Sequence, residues 1–277
     1  MPSPHPRIVR GVDAHAHIFS PDLPMVPERR YSPDYEAPVA QYLAHLDRHG
    51  LSHGMLVQPS FLGTDNGYML AALRQYGERL RGTAVVEPEI DEAGLDELQQ
   101  AGVVSIRLNL IGRTLDDYGS ARWQRLFARL VERRWSLEIQ RGAEDLGAIL
   151  PTIQASGVSV VIDHFGLPKG PLDATVPEHR ALLDGLAEGR LWVKLSAAYR
   201  SALSEAGAQA SLETMRQVRG GLDRFVWGSD WPHTRFETHT DYDEQFALLQ
   251  RLLPDADDRQ QVLVNNPARL FGLDGVR

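Results

Sequence analysis

His15 and His17 stand two residues apart at the end of a short apolar run. Side chains of an extended strand repeat every second residue, so both imidazoles face one side. Two imidazoles on one face can grip a metal or a developing oxyanion. His164 closes a second apolar run, after Val160, Val161, Ile162 and Asp163, and Asp230 a third, after Trp227, Gly228 and Ser229. Taken singly, each has an ordinary explanation: a histidine bonded to a carbonyl, or an aspartate closing a turn. Taken together, three imidazoles and a carboxylate can either hold Zn²⁺ as an N₃O set or activate a water and stabilise what it attacks. Arg107 sits between Ile106 and Leu108, where a guanidinium is costly unless it has a partner. Ser60, Arg113, Gln140, Arg200 and His233 also fall at or just beyond the ends of apolar runs.

These residues need a frame that brings distant parts of the chain to one place. Short β-branched runs alternate with segments of helical period. Strands are predicted over residues 12–16, 54–58, 82–86, 104–109, 137–140, 159–163, 191–196 and 225–229. Helices are predicted over 39–49, 68–76, 94–100, 123–133, 146–155, 178–188, 208–219 and 242–253. Gly50, Gly77, Gly102, Gly157 and Gly189 stand where several of these helices should stop. Eight βα units predict a closed (β/α)₈ TIM barrel of parallel strands, in which chemistry gathers at the C-terminal strand ends. Asp13, His15, His17, His164 and Asp230 should then surround one mouth. The proline-rich segment 20–37 reads as an ordered long loop after the first strand.

The chain has 277 residues, enough for one such barrel, and no linker or low-complexity tract divides it. A single domain over 1–277 is expected. With 43% apolar and 24% charged residues the composition is that of an ordinary globular protein. The formal charge of -8 and the lack of a basic stripe argue against nucleic acid as partner. An anionic substrate would have to be met by a local cluster of arginines. No run approaches the roughly 20 apolar residues of a bilayer span, and the first residues lack the apolar core of a signal peptide. The absence of cysteine excludes disulfides and thiolate metal sites and fits a reducing cytosol, so a cytoplasmic location is expected.

The ordered segments Val12 to Phe19, Val57 to Ser60 with Gly63 to Asn66, Ile106 to Asn109, Val161 to Gly166, Trp227 to His233 and Asn266 to Phe271 resemble the amidohydrolase superfamily (amidohydrolase-2 type), in the branch of the 2-pyrone-4,6-dicarboxylate lactonases. The resemblance runs in order along nearly the whole chain. It implies a hydrolase that opens a small anionic, carboxylated lactone by water attack on the ester carbonyl. Asp230 would be the general base, and His15, His17 and His164 would polarise the carbonyl. Arg107, Arg113, Arg200 and Ser60 would contact substrate. The chain departs from that pattern at Gln140, where the branch has a tyrosine, and at Leu167, where it has an arginine; Lys169 or Arg141 could supply that charge instead. A sugar-acid lactone therefore stands as an alternative substrate.

No catalytic metal is expected. Metal-dependent relatives place a histidine where this chain has Gln140, and Arg107 would repel a cation beside it. The alternative is Zn²⁺ on His15, His17, His164 and Asp230, as in a zinc-dependent decarboxylase of a carboxylated ring. A non-catalytic binding barrel would be plausible had one of the four been missing, and all four are present.

Overall fold

The protein is described here by a computed structural model covering residues 8–273. Eight strands, β1 (Val12–Ala16), β2 (His53–Val57), β3 (Leu80–Ala84), β4 (Val103–Asn109), β5 (Ser136–Gln140), β6 (Ser159–Ile162), β7 (Leu191–Leu195) and β8 (Phe225–Trp227), pair in sequence order. Every ladder is parallel. Between them run α1 (Val39–Arg48), α2 (Gly67–Gln75), α3 (Glu92–Ala101), α4 (Ala121–Glu132), α5 (Leu150–Ala155), α6 (Arg180–Ala187) and α7 (Glu205–Arg219), with α8 (Tyr242–Leu252) after β8. This is the predicted TIM barrel. Both faces of a parallel barrel strand are covered, and β1, β2, β5 and β7 are accordingly buried at every position. No helix among the described residues is long and apolar enough to cross a membrane.

The seam between β1 and β8 decides where the site lies. It is closed by the segment after β8: Asp230 N donates to His15 O at 2.8 Å, and His17 N donates to Trp231 O at 2.7 Å. Gly228 permits the approach, because a Cβ there would lie 2.5 Å from His15 Cβ and 2.9 Å from His15 N. Asp13 bolts the seam. Its Oδ1 accepts from Ser229 N at 2.9 Å and its Oδ2 from Ser229 Oγ at 2.6 Å and Tyr242 Oη at 3.1 Å.

Asp13 therefore does not share the mouth with His15 and His17, contrary to the expectation. Asp13 pairs with Gly54 but Ala16 pairs with Leu56, so β1 carries one residue more than β2 over that stretch. Such a bulge re-aims side chains. Asp13, between the inward Val12 and Ala14, faces Tyr242 of α8, and the bulge beyond it reverses the phase so that His15 and His17 enter the barrel.

The barrel interior is layered. Val12, Ala14, Met55, Val104, Val161, Trp192 and Val226 form an apolar plug closed by Phe271 and Leu273. Two residues further along the strands the same inward direction meets Asp163 after Val161 and Lys194 after Trp192, so a polar layer rests on an apolar floor.

Several element limits differ from those predicted. Strand β3 begins two residues earlier, at Leu80. Helix α3 starts at Glu92 because Asp91 caps it, accepting from Gly94 N, and α7 starts at Glu205 because Ser204 accepts from Gly207 N. The predicted helix over 146–155 is a 3₁₀ segment, Ala143–Ala148, followed by a short α5, with Pro151 at its first turn. The chain also continues past α8 into α9 (Ala256–Gln260), a π-turn (Gln261–Asn265) and α10 (Asn266–Phe271), which the sequence reading left unassigned.

Candidate active site

Asp230 follows β8 with a φ of 61°, a left-handed conformation unusual for a non-glycine residue, and is completely buried. Its two oxygens have different surroundings. Oδ2 accepts from Arg200 Nε at 2.6 Å and from the Tyr199 hydroxyl. Oδ1 has no hydrogen-bond partner and faces Nε2 of His15 at 3.7 Å, of His17 at 3.7 Å and of His164 at 3.9 Å. Burial alone would raise its pKa, but Arg200 and the surrounding imidazoles outweigh it and hold the carboxyl well below the usual range. Asp230 is thus ionised at neutral pH, with one oxygen fixed and the other available.

The histidines are fixed by their remote nitrogens. Lys194 Nζ lies 3.1 Å from His15 Nδ1, 2.7 Å from Glu138 Oε2 and 3.3 Å from Asp163 Oδ1. An ammonium can only donate, so Nδ1 of His15 accepts and the ring proton sits on Nε2. His17 Nδ1 donates to Val57 O at 2.7 Å, leaving its Nε2 as an acceptor, 3.3 Å from His15 Nε2. A directed chain results, from Lys194 to His15 to His17 to Val57. Burial, reinforced by Lys194, pushes the His15 pKa well below its ordinary value, and burial lowers that of His17. Burial also brings His164 down to about 4. All three are neutral at pH 7. His164 Nδ1 meets Ser196 Oγ at 2.8 Å, and its Nε2 is unpartnered.

Arg107 is buried and anchored along one edge: Nε and Nη2 donate to Asp163 Oδ2 at 3.1 and 3.0 Å, and Nη2 to Gln140 Oε1 at 3.0 Å. The other predicted residues fall into distinct places. Ser60, Gln140 and Arg200 line the same cleft as His17, His164 and Asp230. Arg113 lines an adjoining outer cavity with Ser60 and Asn109. His233 is buried beside Tyr199, its Nε2 unpartnered and its pKa lowered by burial to about 4. Arg141 does not supply a charge to the cleft, because Asp145 and the carbonyls of Leu110 and Arg113 hold it. Lys169 is exposed outside it.

Residues 12–273 match the Amidohydrolase family. The chain belongs to the amidohydrolase family. Among curated relatives, 2-pyrone-4,6-dicarboxylate hydrolase of Comamonas testosteroni is 31% identical over 94% of this chain and 90% of that protein. A 4-sulfomuconolactone hydrolase of Rhizobium radiobacter is 27% identical over 94% and 89%. A crystal structure of a probable 2-pyrone-4,6-dicarboxylic acid hydrolase of Acinetobacter baumannii, with citric acid bound, superposes with a TM-score of 0.89 at 35% identity, covering 95% of this chain and 99% of that one.

In this amidohydrolase the donor atoms for a metal are close: His15, His17 and Asp230 each offer one within 4.8 Å of the others, as do His15, Asp163 and His164. The unpartnered His164 Nε2 and Asp230 Oδ1 face the same point, so His15, His17, His164 and Asp230 would be the residues to hold a cation there, with His15 giving up its Nε2 proton to do so.

Sequence reasoning passed over Lys194, Glu138 and Tyr199. The signal that singled out Arg107 was present for the first two, since Lys194 lies between Val193 and Leu195 and Glu138 between Leu137 and Ile139. Tyr199 had no local signal: only the return of the chain after β7 brings it to Asp230. Arg30 and Arg235, which also line the cleft, were missed because they lie in long loops.

Proposed function

We propose that this chain hydrolyses a carboxylated lactone of the 2-pyrone-4,6-dicarboxylate type, by water attack on the ring ester and without a resident metal. The observation that carries the reading is the open, ionised Oδ1 of Asp230 facing three neutral imidazoles in a cleft lined by arginines.

A water at Oδ1 gives one proton to Asp230 as its oxygen bonds to the carbonyl carbon. Negative charge then develops on the carbonyl oxygen. With Ser196 donating to Nδ1, His164 keeps its proton on the otherwise unpartnered Nε2, the nitrogen facing the cleft, and stabilises that charge. As the ring C–O bond breaks, the leaving oxygen takes the proton back from Asp230. Arg107 is the substrate-carboxylate anchor: Asp163 and Gln140 hold its Nε and Nη2, and Nη1 remains for a guanidinium–carboxylate contact. Beside the expected substrate contact Arg200 has a second task, because its Nε donates to Asp230 while its Nη1 and Nη2 each reach Thr234. It keeps the base ionised and oriented.

The test is a screen of lactones with and without ring carboxylates, following the proton released when each new carboxylic acid ionises. Turnover of carboxylated lactones above uncharged ones supports the reading. Release of CO₂ from a carboxylated ring, dependent on added metal, would replace it with a decarboxylase; a preference for sugar-acid lactones would change the substrate.

A further inference from the structure

Four arginines line the cleft, and they divide into two pairs. Arg107 and Arg200 lie deep and each is bound to a carboxylate, Asp163 and Asp230 respectively. Arg30 and Arg235 come from the loops after β1 and β8, and neither forms an ion pair among the described residues. Arg30 Nη2 donates only to the neutral Asn109 Oδ1, at 3.1 Å.

We propose that Arg30 and Arg235 form an outer anion subsite that binds the second negative group of a doubly charged substrate, an inference that rests on the lactonase reading. Gathering like charges is unfavourable unless an anion joins them. Arg30 is exposed at the rim of the cleft, and partial desolvation, then the nearby guanidiniums of Arg107, Arg235, Arg200 and Arg113, lower its pKa. Its proximity to Arg235 is built in. Glu237 Oε1 accepts from the hydroxyls of Tyr31 and Tyr35 and from Arg235 N at 2.9 Å. One carboxylate oxygen therefore staples the loop carrying Arg30 to the loop carrying Arg235. The staple leaves the two guanidiniums on the wall of the same cleft as Arg107, His164 and Asp230. A ring anchored at Arg107 would present a second acidic group outward, toward this pair. A carboxylate or a sulfonate has the charge and the oxygens to accept from both.

The subsite is tested with unreactive rings and reactive ones. Calorimetric titration compares benzene-1,3-dicarboxylate with benzoate on the wild type, on Arg30→Met/Arg235→Met and on Arg30→Lys/Arg235→Lys. The wild type should bind the dicarboxylate at least about tenfold more tightly than benzoate, a gap that the Met pair loses and the Lys pair partly keeps, as expected when charge partners are removed. The ratio of kcat/KM for 2-pyrone-4,6-dicarboxylate over its monocarboxylated analogues should fall in parallel. An unchanged binding ratio in the Met pair overturns the subsite. If the wild type opens no pyrone at all, the lactonase reading fails, and the titration still decides whether the two arginines read a second anion.

Discussion

Lys194 Nζ lies 3.1 Å from His15 Nδ1, with both side chains completely buried. The ammonium balances Glu138 and Asp163 and at the same time selects the tautomer of the histidine that faces Asp230. One side chain thereby joins the stability of the barrel interior to the chemistry at its mouth.

Lys194→Met leaves Glu138 buried without its cation, and breaking such a pair typically destabilises by about 3–5 kcal/mol. Chemical denaturation should show a loss of that order, and kcat should fall more than KM changes. Adding Glu138→Leu removes the orphaned carboxylate and should restore much of the stability but not kcat. Recovery of kcat together with stability would mean that Lys194 does not orient His15.

Asp230→Asn keeps the shape and loses the base. The expected fall in kcat is at least about 10²-fold, the scale of general-base contributions. Single-turnover kinetics with a carboxylated lactone would measure it, and a variant within a factor of a few of wild type would remove Asp230 from that role.

Exhaustive chelation should leave wild-type turnover intact if Asp230 activates the water and His164 holds the oxyanion as proposed. Activity lost with the metal and regained in proportion to bound Zn²⁺ would show that the cluster rearranges to ligate, with a zinc-bound hydroxide as nucleophile.

Stability should fall on acidification from pH 7 to 4.5. His164 and His233 have pKa values of about 4 in the folded protein against 6.5 ordinarily, so the unfolded chain takes up protons first. Their contribution is intact above pH 6.5 and is lost as pH falls toward 4, each on the order of 3 kcal/mol at most. Asp13, raised to about 6 chiefly by burial, acts in the opposite direction over much of this window and offsets part of the loss. The lowered values of His15 and His17 add to it. Urea midpoints measured across the range should therefore decline; a flat or rising profile would contradict neutral buried histidines.

Gly228→Ala would force a methyl group against the His15 backbone at the β1–β8 seam. Overpacking of this kind costs about 1–3 kcal/mol. Thermal unfolding should register the loss, and kcat should fall as well, because the same contact places His15 opposite Asp230.

The barrel was legible in the sequence because each parallel strand is buried on both faces and reads as a short apolar run, and because the eight runs alternate with helical segments. His15, His17, His164 and Asp230 were legible for the same reason: a polar group ending an apolar run is conspicuous. The sequence by itself thus determined the architecture, the four converging residues and the presence of Arg107 in a buried strand. The direction of each side chain was decided only in three dimensions. Asp13 faces outward to Ser229 and Tyr242, and a one-residue bulge after it turns His15 and His17 inward, which strict alternation could not reveal. The partners that fix protonation, Lys194 on His15 and Arg200 with Tyr199 on Asp230, come from β7 and the segment after it, remote in sequence from the groups they control. Their pairing depends on barrel closure, which brings strand ends together through contacts that no local pattern encodes.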